Sequence, residues 1–272
     1  MYVNFGLLQE EGIDVVDENL EKALALDDKF AMALAVRGWR EMLFGDGIEE
    51  GCHFWLRALE ADPDEPFANL GLIATYVYAG KTALAAPYLR RLQSVDPLTF
   101  ATLWSDGAVH YVSGDFGSAA AAWKRAHEME PDNPLGHFYY SMANAAAGRN
   151  DEALLILDDI QSADPDNAAF KMCRMFAHGL RADRDGLLSE VTPDLQKTAM
   201  RDLEWSLYFA DAFAMVGEKN EALMWIENAV ARGFYNYPML AELDPFLKNI
   251  RGEKRFKDLM VKVKKEWEEF EV

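Results

Sequence analysis

Residues 96–131 read DPLTFATLWSDGAVHYVSGDFGSAAAAWKRAHEMEP, and the reading of this stretch decides the fold. It is two pieces of helix-like text separated by Gly114 and closed by Glu130-Pro131. A helix ending at Gly114 meets there the residue suited to a left-handed C-terminal cap, and Asp115 is placed to cap the helix that follows. In the second piece Ala119, Trp123 and Ala126 fall at spacings of four and three, on one helical face. A large ring between two small residues lets a neighbouring helix approach closely while the indole fills the gap. The stretch is a helical hairpin, and its motif describes packing rather than catalysis.

Working outward, the same punctuation recurs. Acid-Pro steps stand at Asp62-Pro63, Asp96-Pro97, Glu130-Pro131 and Asp164-Pro165, each 34 residues after the last, and Gly80, Gly114 and Gly148 keep the same period midway between them. A fixed period of this length with helical text between the marks is the signature of a helical-hairpin solenoid. The next unit places Asn133 as cap, Pro134 at the first helical position where a missing amide donor is harmless, Gly148 at the turn, and Ala153, Leu157 and Ile160 on the second helix. The preceding unit carries Tyr76, Gly80, Ala85 and Leu89 in corresponding places. Upstream, Trp39, Gly45, Gly51, Trp55, Ala58 and Pro63 fit a further unit if one residue is inserted in the turn FGDGIEEG.

These marks resemble the tetratricopeptide repeat, a helix-turn-helix unit, strongly over residues 31–167. The resemblance rests on Tyr76, Gly80, Ala85 and Pro97, then Gly107, Gly114, Phe116, Ala119, Trp123, Ala126 and Pro131, then Gly148, Ala153 and Pro165. It implies an all-α fold, a right-handed superhelical solenoid of six to seven tetratricopeptide hairpins with a C-terminal capping helix. Residues 1–237 form the expected array, regular over 31–167, degenerate over 168–202, where Ala182 replaces the turn glycine and Thr192-Pro193-Asp194 interrupts, and back in register over 203–237 through Gly217, Ala222, Ile226 and Ala229. Residues 238–272 form the expected loop and capping helix, with Phe256, Leu259, Met260, Val263, Trp267 and Phe270 on one stripe. At the other end Asp28 takes the place of a closing proline and Val16, Leu20 and Ala23 continue a second-helix stripe. The array is therefore expected to start partway into a hairpin that is frayed or, the favoured reading, excised from a longer polypeptide. From Arg232 through LDPFLKNIRGEKRFKDLM the tail also resembles the end of repeat regions that follow bacterial serine/threonine kinase or cyclase domains.

Composition narrows the function. A net charge of −19 argues against nucleic acid, which needs a basic surface, and disfavours anionic membrane. No apolar run approaches the ~18 residues of a membrane span, and MYVNFGLLQEEG lacks the features of a secretory signal, so a cytoplasmic setting is expected. Cys52 and Cys173 sit inside helical text and read as buried free thiols. His53, His110, His127, His137 and His178 show no metal-ligand spacing, and no phosphate loop, nucleophile elbow or kinase signature set is present. No metal, cofactor or catalytic group is expected within this chain.

In the family that the repeats resemble, the first helix of each hairpin lines a concave groove. Carried onto this sequence, the inward positions are Trp39, Met42, Phe67, Tyr78, Trp104, Tyr111, Phe138, Met142, Met172 and Phe176. Such a lining can bury the apolar side of an extended or helical peptide. The Lys and Asn ladder with which some members clamp a terminal carboxylate has no counterpart here. The resulting expectation is a non-catalytic protein-interaction module for a protein or peptide partner, basic or amphipathic, serving as the sensing or docking region of a bacterial signalling kinase. A self-associating scaffold, forming a homo-oligomer, and a small-ligand sensor are the alternatives.

Overall fold

The computed structural model describes residues 12–45, 47–160 and 166–271, and no strand occurs among them. After α1 (Ile13–Leu26) come five hairpins in succession: α2 (Ala31–Phe44) with α3 (Ile48–Ala61), α4 (Pro66–Tyr78) with α5 (Thr82–Val95), α6 (Phe100–Val112) with α7 (Phe116–Met129), α8 (Pro134–Ala146) with α9 (Asn150–Asp158), and α10 (Ala168–Leu180) with α11 (Arg184–Glu190). An additional helix, α12 (Pro193–Arg201), precedes the last hairpin, α13 (Leu203–Met215) with α14 (Lys219–Ala231). A π-helical turn (Met239–Leu243), a 3-10 turn (Phe246–Asn249) and α15 (Lys254–Glu269) complete the chain. The fold is a helical-repeat solenoid. The expected start partway into a hairpin, with residues 1–11, and the step Asp164-Pro165 lie outside the described residues.

Both ladders have a backbone cause. Gly80, Gly114, Gly148 and Gly217 all adopt positive φ, between 66° and 84°, each just past a first helix. Each donates to a carbonyl three residues back, while the next amide reaches five back, as in Gly114 N–H to Tyr111 O and Asp115 N–H to His110 O. This paired closure satisfies the carbonyls that a helix end leaves open. The acids of the acid-Pro steps sit just past the second helices, where the amides of Asp62, Asp96 and Glu130 close onto Ala58, Leu92 and Ala126. The following proline stops the helix. Asp115 caps α7 through Ser118 N–H at 3.1 Å, and Asn133 caps α8 through Leu135 N–H at 3.0 Å.

Ala182 is the degenerate repeat's answer to the missing glycine. It makes the same pair of bonds, its own N–H to Gly179 O and Asp183 N–H to His178 O, at φ 53°, the one positive-φ residue other than glycine among the described residues. The repeat geometry thus overrides the local preference of a residue that carries a Cβ.

Tryptophans set the helix spacing. Trp55, Trp123 and Trp225 stand at multiples of 34, with Leu89 and Leu157 in the same register, and all three indoles are buried. Trp55 donates to Ala35 O and Trp123 to Trp104 O, each at 3.1 Å, tying a second helix to the first helix of its hairpin. The rings press on glycines: a Cβ at Gly71 would meet the Trp55 ring at 2.3 Å, and one at Gly107 the Trp123 ring at 2.2 Å.

The second half of the chain fills the inner surface of the first. Tyr208 of α13 packs on Phe138 of α8 at 4.7 Å, and Gly179 of α10 lies against Ala212 and Met215. The segment after α14 then crosses the ends of the first helices. Tyr235 N–H donates to Tyr78 O at 2.9 Å, Asn236 to Val77 O at 3.2 Å, Leu243 lies on Gly114, and Phe246 meets Phe176 edge-on at 5.3 Å. Arg232 reaches back to Leu43 O at 3.2 Å. Helix α15 covers α14, with Phe256, Met260 and Val263 buried and Arg255 paired to Glu227. It extends beyond a simple end cap: Lys81 stands over the Trp267 ring at 4.6 Å and Phe270 lies 6.5 Å from Tyr76.

Two substitutions test this packing. Gly107→Ala forces the Trp123 ring out of place and is expected to destabilise the fold by about 1–3 kcal/mol. Ala182→Gly relieves the left-handed alanine and is expected to stabilise it by about 0.5–1 kcal/mol, the gain being reduced by glycine's freedom in the unfolded chain. Denaturant melts of both variants read the two signs, and the reverse order of stability would show the register to be wrong.

Candidate binding cavity

Where the tail stops filling the inner surface, a cavity of about 340 Å³ is left between α2, α4, α6 and α8 on one side and the start of α13 on the other. Five of the ten residues expected to line a groove line this cavity: Trp39, Met42, Phe67, Tyr78 and Trp104. They converge because each sits on the inner side of a first helix, and Trp39 is fixed by its bond to Phe67 O at 3.1 Å.

The other five do not face an open groove. Tyr111, Phe138, Met142, Met172 and Phe176 are buried, between 0% and 5% exposed. Phe138 is covered by Tyr208 and Phe176 by Phe246, so the chain itself occupies the surface that these residues were expected to offer a partner. Tyr111 lies within the field of Asp211 and Asp244, and burial holds its hydroxyl well above the ordinary range. The difference in placement has a simple cause: repeat positions specify which face points inward, and the atoms that meet it come from residues 203–250, far along the chain.

Asp211 and Asp244 form a buried carboxyl pair near Tyr111. Burial raises both, and their proximity raises Asp211 further. The Phe246 amide at 2.8 Å favours the ionised form of Asp244, with Arg251 adding its charge, so the proton belongs to Asp211. Arg251 also donates to Asp244 O at 2.6 Å and Leu240 O at 3.2 Å, which fixes the turns that fill the superhelix.

Acids also reach the cavity wall. Asp96, Asp202 and Glu204 line it, and none of the described lining residues is Lys, Arg or His. Asp202 caps α13, accepting the amides of Glu204 and Trp205 at 2.8 and 3.0 Å. Burial raises Asp202 against those two bonds and the charge of Arg232. Glu204 accepts from the Tyr139 hydroxyl at 3.1 Å. It is surrounded by protein yet keeps part of its surface accessible, and burial, reinforced by Asp202, pushes its carboxyl up to about 8. Nearby, Glu65 caps α4 through Ala68 N–H at 2.6 Å, leaves its other oxygen without a partner, and is pushed by burial up to about 7.

These acids were missed in the sequence for identifiable reasons. Asp96 belongs to the acid-Pro ladder and reads as a turn. Asp202 and Glu204 stand where the irregular stretch 182–202 gives way to apolar text, and that break in register was the available signal.

Other chemistry is sparse. Cys52 and Cys173 are free and buried, and burial pushes the Cys52 thiol up to about 11. Among the described residues no group of three His, Cys, Asp or Glu is placed to hold a metal ion, and no helix is long and apolar enough to cross a membrane.

Comparison with known proteins agrees with this architecture. A family model described as tetratricopeptide repeat matches residues 113–174. Comparison with curated proteins returns no match. Among solved structures, the chain is similar to the APC/C hetero-tetramer Cut9-Hcn1 at 13% identity and TM-score 0.56, over 92% of this chain and 46% of that one. It is also similar to Pseudomonas aeruginosa PilF at 13% identity and TM-score 0.51, over 86% of this chain and 98% of that one. YrrB, described as a TPR protein with an unusual peptide-binding site, aligns at 18% identity and TM-score 0.43 over 75% of this chain and 96% of its own. The likenesses to Cut9-Hcn1 and PilF show the fold.

The raised carboxyls set the pH dependence of stability. A folded value above the unfolded one means that the native state keeps a proton which the unfolded chain releases, so stability falls as pH rises through the interval. For Glu204 and Glu65 the interval runs from 4.5 to about 8 and about 7. The melting temperature is expected to be lower at pH 8 than at pH 5, and Glu204→Gln is expected to reduce that difference. An undiminished pH dependence in the variant would contradict the assignment of Glu204 as a buried, protonated acid.

Proposed function

We propose that this solenoid of tetratricopeptide repeats is a non-catalytic protein-interaction module that takes an anchoring side chain of a partner segment into the cavity between α4, α6 and α13. The observation that carries the reading is the convergence of Trp39, Phe67, Tyr78 and Trp104 on a space that the chain's own tail leaves unfilled. An aromatic-walled cavity of this volume, with a few polar groups in fixed positions, is what a side-chain-sized ligand needs. The covered part of the inner surface makes the contact local, an anchor in a hole rather than a peptide laid along the whole groove.

In its finer form the reading places the module in the cytoplasm of a bacterium, as the docking region of a larger signalling protein carrying a kinase or cyclase domain. The tail text supports that setting, and its residues also have work inside the chain: Asp244 and Arg251 hold the turns, and Phe256 is a buried residue of α15. A small-ligand sensor is the second reading, favoured by the way α13 and the tail wall off the inner surface.

Ala101 lines the cavity and is only partly buried, so Ala101→Trp fills the space from one wall. Peptides selected from a displayed library on the parent protein are expected to bind the variant at least about tenfold more weakly, with the helical circular dichroism signal unchanged. Equal affinity for both would reject the cavity as the binding site.

A further inference from the structure

Resting on the reading of the cavity as an anchor site, we propose that the anchor it selects is a basic side chain, an ammonium or guanidinium on an aliphatic stem, presented by a protein partner. The cavity wall combines two features that such a group satisfies together. Its sides are aromatic, with Trp39, Phe67 and Trp104 able to cover a stem and attract a cation through the ring faces. Its acids are Asp96, Asp202 and Glu204, with no cation among the described lining residues. Carboxylates held in a largely desolvated site interact with an entering charge far more strongly than those on a surface. A neutral apolar anchor would fill the same volume without adding a charge for these acids to attract, and an acidic anchor would be repelled by them.

The protonation of the empty site fits this selection. The groups facing Glu204 are Asp202 at the start of its own helix, Tyr208 one turn on, Tyr139 of α8 and Tyr78 of α4, with Arg232 of α14 acting on Asp202 and Asp96 on the cavity wall. Without a ligand, burial and Asp202 keep Glu204 protonated into the neutral range, up to about 8. An entering cation favours the carboxylate, so binding releases a proton from Glu204 to solvent. A lysine ammonium, with an ordinary value of about 10.4, stays charged throughout. Affinity therefore rises with pH between about 6 and 8, by at most about tenfold per unit for one proton. A cation carried by a protein partner rather than a free amine follows from the anchor-site reading on which this inference rests, and the acidic lining of the cavity supplies its charge complement.

The test uses the full chain and four probes, followed by calorimetry and tryptophan emission: capped heptapeptide mixtures with lysine, norleucine or glutamate fixed at the centre, and hexylammonium as the free amine. The lysine mixture is expected to bind at least about tenfold more tightly than the norleucine mixture, with the glutamate mixture weakest. That preference is expected to grow from pH 6 to pH 8, with proton release on binding. Glu204→Gln and, separately, Asp96→Asn are expected to reduce the lysine preference while leaving norleucine affinity unchanged, which a purely structural role for either acid would not produce. Equal binding of lysine and norleucine mixtures overturns the basic anchor and leaves the anchor site standing. Binding of hexylammonium alone overturns the protein partner as source of the cation. No binding by any of the four overturns the anchor site and this inference together.

Discussion

An inner face must be covered. Each hairpin of this solenoid buries one side against its neighbours and turns another inward, where aromatic and sulfur side chains would otherwise face water. The chain meets that constraint with its own second half. Helix α13 lies against α8 and α10, and residues 234–250 cross the ends of α4, α6 and α10, held by Tyr235 N–H on Tyr78 O, Asn236 on Val77 O and Phe246 on Phe176. Everything particular to this molecule depends on how far that covering extends.

The covering explains the distribution of buried charge. A tail that dives through a superhelix must bring its polar atoms along, and each needs a partner there. Asp244 finds the Phe246 amide and Arg251, and shares its site with Asp211, which keeps a proton. Asp202 meets the same need as a helix cap, and in doing so starts α13 at the place that sets Glu204 beside Tyr139 on the cavity wall. Asp202 and Glu204 thus follow from the way the last regular hairpin is entered after the extra helix α12, while Asp96 comes from the acid-Pro ladder.

Much of the fold was legible because its causes are local and periodic. A left-handed turn asks for glycine, so Gly80, Gly114, Gly148 and Gly217 mark the helix ends, and even the exception at Ala182 was visible as a break in the ladder before the backbone showed φ 53°. The inward positions of Trp39, Phe67 and Trp104 were supplied by the family that the repeats resemble, carried over position by position. What covers those residues was not readable. Tyr208 against Phe138 and Phe246 against Phe176 are pairings between distant stretches, and no spacing within a repeat encodes them. Half of the expected groove residues are therefore packed in the core, and two of the three acids on the remaining cavity, Asp202 and Glu204, come from the edge of the segment where the period fails.

The central claim is that residues 234–250 belong to the interior of the superhelix. Native-state hydrogen exchange tests it most directly, through the amides of Tyr235, Leu240 and Asp244, which are bonded to Tyr78, Asn236 and Met239. Protection of these amides comparable to that of the α4 and α6 cores is the predicted result. Exchange at the rate of an exposed loop, with α4 and α6 still protected, would show that the tail stands off the inner surface and would contradict the account.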